Sequence, residues 1–210
     1  MIKLRLFLVT ILTIFVTLSY GQIKFKAAAS VGGASLDRGT TFDYVIYANG
    51  NSNATTRQLL FDIQYDKDNF ELVSVAHTGT GGNGGVLPQN SSPTISYYNY
   101  PGYNFIPVTS GNNNNTTTNG TTNYQYANYN YSTTNVYAIL RSTLTWSTNS
   151  AMPYTSYDAL VKITFRLKAA STAYTFNPIK LNFVSAWNGS GNQEATLMET
   201  PLSTSVIMNQ

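Results

Sequence analysis

Between Thr41 and Val75 apolar and polar residues alternate with a period of two, interrupted only by clusters of turn-formers. Phe61, Ile63 and Tyr65 fall on one side of an extended segment, and Phe70 and Leu72 resume the alternation after Asp66-Lys67-Asp68-Asn69. Such alternation, broken by Asn, Asp and Gly, marks half-buried antiparallel strands joined by tight turns. Extended along the chain, the same reading predicts nine strands: residues 24–31, 41–48, 57–65, 70–76, 94–99, 134–146, 157–167, 179–186 and 203–208. The separators are Gly32-Gly33, Asn49-Gly50-Asn51, the glycine-rich stretch 79–85 and Asn188-Gly189-Ser190-Gly191. No segment sustains a 3.6-residue apolar repeat, so no long helix is expected. Many short strands without alternating helices predict one all-β domain, a sandwich or a barrel.

One region departs from this pattern. Between Tyr97 and Tyr131 the composition collapses to Tyr, Asn, Thr and Gly, including Asn112 to Asn115 followed by Thr116 to Thr118. Residues 111–122 carry no apolar alternation and are expected to form a loop that packs no core. Tyrosines flank them: Tyr97, Tyr98, Tyr100 and Tyr103 before, Tyr124, Tyr126, Tyr129 and Tyr131 after. Tyr124/Tyr126 and Tyr129/Tyr131 each have strand spacing, so this insertion, at about residues 100–132, reads either as a loop or as a two-strand extension with a disordered tip.

The N-terminus changes the charge balance. Lys3 and Arg5 precede an uncharged apolar run, residues 6–18, followed by Ser19-Tyr20-Gly21. That is the layout of a secretory signal peptide over residues 1–21, with cleavage near Gly21, and the run is too short and too rich in threonine for a membrane span. Residues 22–210 then form a single exported domain. With Lys3 and Arg5 lost, the 12 Lys+Arg fall to 10 against 9 Asp+Glu. No basic stripe remains of the kind that holds nucleic acid. Cysteine is absent, which excludes a disulfide framework and any thiolate metal site. A mature chain of about 190 residues buries enough surface to fold without disulfides.

Catalysis finds little material. His77 is the single histidine, and no serine sits in a G-x-S-x-G elbow. Asp62, Asp66, Asp68, Glu71 and Asp158 are the carboxylates from which a glycosidase-like pair would be drawn. Asp66, Asp68 and Asn69 lie in a tight turn, where such side chains bond local backbone amides, and they lack the spacing of a calcium loop. No catalytic residue, metal ligand or cofactor is assigned. Aromatic residues carry the stronger signal. The eight tyrosines around the insertion, together with Trp146 and Trp187 near predicted strand ends, are the candidate contact residues for a ligand or partner. Tyrosine mixed with Asn, Thr and Gly is the palette of adaptable binding loops, and exposed rings also stack on sugars.

Several segments resemble the cohesin domain family. Gly39-Thr40-Thr41-Phe42 leading into Tyr44-Val45-Ile46-Tyr47 resembles the step that opens the second strand of that family. Leu59 through Asp66, then Phe70-Glu71-Leu72-Val73-Ser74-Val75, is similar to its tyrosine–aspartate turn and following strand. Ala159 through Lys168 resembles a later block, and Pro178-Ile179-Lys180-Leu181 would open the strand before the last. The resemblance covers most of the mature chain, with the Tyr/Asn insertion as the departure. It implies a nine-stranded jelly-roll β-sandwich, related to certain carbohydrate-binding modules. It also implies a non-catalytic module that binds a calcium-loaded helical partner, a dockerin, across one sheet face. The insertion would cover or replace that face. Two readings stand side by side: protein–protein contact in an extracellular or cell-surface assembly, and carbohydrate binding through exposed tyrosines and tryptophans. Function does not follow from fold. Protein binding predicts a mixed polar and apolar sheet face, and glycan binding predicts several coplanar exposed rings.

Overall fold

The computed structural model describes residues 23–30, 35–50, 55–78, 93–106, 115–118, 121–124, 128–151, 157–169, 179–187, 190, 193–194, 196–198, 203–204 and 207–208. The strands in chain order are β1 (Ile23–Ala29), β2 (Ser35–Leu36), β3 (Thr41–Asn49), β4 (Thr55–Asp66), β5 (Phe70–His77) and β6 (Thr94–Pro101). The insertion contributes β7 (Tyr103–Ile106), β8 (Asn115–Thr118), β9 (Thr121–Tyr124) and β10 (Asn128–Tyr131). Then come β11 (Tyr137–Ala151), β12 (Asp158–Leu167), β13 (Ile179–Trp187), β14 (Gln193–Glu194), β15 (Thr196–Met198), β16 (Ser203–Thr204) and β17 (Ile207–Met208). The fold is all-β. The first eight predicted strands coincide with β1, β3, β4, β5, β6, β11, β12 and β13. Of the ninth, residues 203–204 (β16) pair with β13 and residues 207–208 (β17) pair with β2, and residues 205–206 lie outside the described residues.

Two sheets carry the architecture. One runs β15-β1-β3-β12-β5; the other runs β14-β13-β4-β11-β6, with β16 also on β13. Their alternation turns one side of each strand inward. Phe25, Phe42, Tyr44, Ile46, Ile163 and Phe165 come from the first sheet, and Leu59, Phe61, Ile63, Leu140, Leu144 and Leu181 from the second, all at 3% exposure or less. Phe25 meets Phe61 edge-on at 5.7 Å between ring centres, and Tyr65 meets Phe165 at 4.9 Å, closing the sandwich between the sheets.

The acidic turn does what its residues suit it for. Asp66 Oδ1 accepts from the backbone N–H of Asp68 (3.1 Å) and Asn69 (3.2 Å), and Oδ2 accepts from Asn69 Nδ2 at 3.0 Å. The carboxylate is 2% exposed and spent on holding the turn between β4 and β5.

The insertion corrects one expectation. Tyr97, Tyr98 and Tyr100 lie on β6, which pairs along its length with β11 as the last strand of the second sheet. The hairpin begins beyond Gly102, where β7 pairs β10 from Tyr103↔Tyr131 to Ile106↔Asn128. Within the stretch expected to be a loop, β8 and β9 form a ladder from Asn115↔Tyr124 to Thr118↔Thr121. Threonine's β-branched side chain suits a strand even where no core residue fixes the register.

A tyrosine-lined face on the second sheet

The outer faces of the two sheets differ in chemistry. On the first, charges dominate: Lys162 sits 3.6 Å from Asp43, Arg166 sits 3.5 Å from Glu71, and Thr164 donates to Asp43 at 2.7 Å. Lys26 lies over the rings of Tyr157 and Tyr47 on the same side, at 4.2 and 5.6 Å. This is a solvated face laced with weak surface pairs. On the second sheet the register aligns Tyr98, Arg141 and Asp62 across β6, β11 and β4, with Tyr100, Ile139 and Gln64 in the next row. Thr94 and Thr145 pair through their hydroxyls at 3.0 Å further along. That face is mostly neutral, polar and aromatic.

The hairpin β7–β10 folds back over it. Pairing Tyr103 with Tyr131 sets both rings, and Tyr129 two residues away, on one side of the hairpin. Their rings continue a file that starts on β6. Centroid separations are 6.4 Å for Tyr98–Tyr100, 5.8 Å for Tyr100–Tyr103 and 5.0 Å for Tyr103–Tyr131. Tyr129 reaches the sheet itself. Its hydroxyl donates to Asp62 Oδ2, and Arg141 Nη2 donates to the same hydroxyl at 3.0 Å. Arg141 also grips Asp62 with two bonds of 2.8 Å, Nε to Oδ1 and Nη2 to Oδ2, and its guanidinium lies 5.6 Å from the Tyr129 ring centre. Asp62 is fully buried in this clasp while Arg141 keeps 35% of its side chain exposed. Bidentate, charge-assisted bonds of this kind are the strong ones. Burial, the neighbouring Asp62 charge and the bond to Asp62 all push the Tyr129 phenol above its ordinary range, and Arg141 opposes them. The bond to Asp62 likewise raises the Arg141 guanidinium. Ile139, 1% exposed, lies on this outer side beneath the hairpin rather than between the sheets.

Gly102 permits the fold-back. Its φ is +81°, a region that disfavours any residue with a Cβ, and a Cβ there would stand 2.8 Å from the Ser132 carbonyl oxygen. Its N–H donates to the Tyr137 carbonyl at 2.9 Å, tying the start of the hairpin to β11, and its carbonyl accepts from Ser132 N–H at 3.0 Å, joining the hairpin's two ends.

The predicted contact residues therefore separate. Tyr98, Tyr100, Tyr103, Tyr129 and Tyr131 come together on this face. Tyr97 points the other way from β6 and is 45% exposed at the sheet's margin. Trp146 is a core residue, not a contact residue: it is 3% exposed and donates Nε1–H to the Thr56 carbonyl at 2.9 Å. Its even position on β11 turns it inward beside Leu144, although it lies near the strand's far end. Trp187 ends β13 half-buried, its Nε1–H on Ser185 Oγ at 3.1 Å, away from the tyrosine file. Tyr124 pairs Asn115 through its backbone. Tyr126 and the 1–21 signal segment lie outside the described residues. Sequence reading did not find Arg141, Ile139 or Gly102, and it listed Asp62 only among possible acid–base groups. His77 ends β5 exposed.

No family model and no curated protein matches the chain. Solved structures do. A cohesin module from a family 33 glycoside hydrolase of Clostridium perfringens is 12% identical, with 88% of this chain and 96% of that module covered and a TM-score of 0.50. The cohesin of a type I cohesin–dockerin complex from Clostridium thermocellum is 10% identical, covering 90% and 99%, with a TM-score of 0.46. A non-cellulosomal cohesin from the archaeon Archaeoglobus fulgidus is 12% identical, covering 91% and 93%, with a TM-score of 0.45. The chain has a cohesin-like β-sandwich fold, as the resemblance implied.

Proposed function

We propose that this chain is an exported, non-catalytic binding module that contacts another protein through the outer face of the β13-β4-β11-β6 sheet and its hairpin. The observation that supports it most is the contrast between the two outer faces. One is a ladder of solvated charges; the other gathers Tyr98, Tyr100, Tyr103 and Tyr131 on a mostly uncharged polar surface that carries, among the described residues, the buried Asp62–Arg141 pair and, at the β13 side, Lys180. Tyrosine-rich, charge-poor patches are what the centre of a protein interface is made of. The partner proposed from the cohesin resemblance is a dockerin-like, calcium-loaded helical protein in a secreted or cell-surface assembly, reached after cleavage near Gly21.

Ring geometry favours protein over glycan. The planes of Tyr98 and Tyr100 meet at 32°, those of Tyr100 and Tyr103 at 71°, and those of Tyr103 and Tyr131 at 44°. Rings so inclined give corrugated contact area instead of the flat platform on which sugar rings stack. The test is capture from the source organism's secreted and envelope fractions by the mature chain and by a Tyr98→Ala/Tyr131→Ala variant. A protein retained by the first, lost by the second and released by chelator supports the reading. Binding to immobilised polysaccharide, lost in the same variant, would overturn it in favour of a carbohydrate-binding module.

A further inference from the structure

Tyr100, Tyr103, Tyr129, Ile139 and Arg141 line a cleft of about 240 Å³ between the hairpin and the sheet. From the structure we infer that this cleft is an anchor site for a carboxylate side chain, Asp or Glu, on the partner protein; the inference rests on the protein-binding reading above. The Arg141–Asp62 pair is neutral in sum but is presented unevenly. Asp62 is fully buried and receives bonds from Arg141 Nε, Arg141 Nη2 and the Tyr129 hydroxyl. Arg141 remains about one-third exposed, and its bonds to Asp62 and Tyr129 leave from Nε and Nη2. Among the described residues no bond leaves Nη1, and that edge is left to whatever enters the cleft. An entering group thus meets the positive member of the pair, inside tyrosine walls that lower the local dielectric and strengthen the attraction. Asp62 holds the guanidinium in one orientation, so little rotamer entropy is lost when a carboxylate docks. An ammonium group would face that same positive edge, and a purely apolar side chain would strip water from it without replacing a bond.

The cleft is tested by NMR titration of the mature chain, following the Arg141 Nε–H and the Ile139 methyl resonances. The probes are acetyl-Gly-Glu-Gly-amide, its glutamine counterpart and glucuronate. The glutamyl peptide is expected to shift both resonances saturably, with the glutamine peptide about tenfold weaker, as charge-assisted bonds outweigh neutral ones. Tyr100→Ala, on the edge strand β6, leaves the Asp62–Arg141–Tyr129 contacts in place and should weaken the glutamyl peptide several-fold. Arg141→Gln should abolish the preference for Glu over Gln. Equal shifts with both peptides, or none, would overturn the anchor site. Tighter binding of glucuronate than of the glutamyl peptide would overturn it in favour of an acidic sugar. The two proposals fail separately: a partner captured through the face with no carboxylate preference in the cleft defeats this inference alone.

Discussion

Tyr129, near the end of the insertion, donates its hydroxyl proton to Asp62, which sits 67 positions earlier on the outer side of β4. That contact turns a low-complexity insertion into part of the sheet's surface. It joins the hairpin to the buried Asp62–Arg141 ion pair on this face, and it shapes the cleft beside Arg141. Replacing Tyr129 with Phe removes two charge-assisted bonds but leaves Arg141 on Asp62, so the cost should be about 1–2 kcal/mol. Amide exchange should quicken in β7 and β10 while β3 and β12 are unaffected. Uniform acceleration through both sheets would show that the hairpin is not a separable layer.

Gly102 sets the angle at which the hairpin leaves β6. Gly102→Ala places a Cβ against the Ser132 carbonyl oxygen in a backbone region at φ +81° that alanine disfavours. The expected cost is about 1–3 kcal/mol, spent on lifting the hairpin. The Tyr103–Tyr131 contact should loosen and partner affinity should fall with the core intact, read by near-ultraviolet circular dichroism and calorimetry.

Trp146 and Tyr98 should give opposite phenotypes. Trp146→Phe removes the bond to the Thr56 carbonyl and leaves a void between the sheets, costing about 1–3 kcal/mol of stability with partner binding unchanged. Tyr98, 65% exposed, should tolerate alanine within about 0.5 kcal/mol while losing at least about 1 kcal/mol of binding. The pair is checked by denaturant unfolding alongside affinity measurement.

Alkaline pH should unfold the protein through its tyrosines. Burial raises the phenols of Tyr44, Tyr65 and Tyr129 above their ordinary value. A group with a raised folded pKa contributes stability fully below its unfolded pKa and loses it as pH climbs. Stability should therefore decline above about pH 10, where the unfolded phenols ionise, and the decline should be shallower in Tyr129→Phe. Tyrosinate absorbance against pH, recorded with circular dichroism, checks the slope.

The sandwich was legible because its strands carry their own instructions. Phe61, Ile63 and Tyr65 alternate with Leu60, Asp62 and Gln64, and Asp66 closes the turn with side-chain bonds no more than three residues away. The site was legible only in part. The strand spacing of Tyr129 and Tyr131 is visible, but their partner strand, Tyr103–Ile106, lies across a stretch of Asn and Thr that carries no register signal. Asp62 and Arg141 are 79 positions apart and meet only because β4 and β11 pair in one particular register. Trp146 shows the reverse failure. A tryptophan near a strand end looks available until the parity of the whole strand turns it inward.

The partner is expected to meet the face of β6, β11 and β4 with its hairpin, and not the charged face opposite. Amide hydrogen exchange of the mature chain, free and bound to the captured partner, tests this most directly. Protection concentrated in β6, β7, β10 and β11 is the expected result. Protection confined to β1, β3 and β12 would place the partner on the opposite sheet and rule the tyrosine-lined face out as its contact surface.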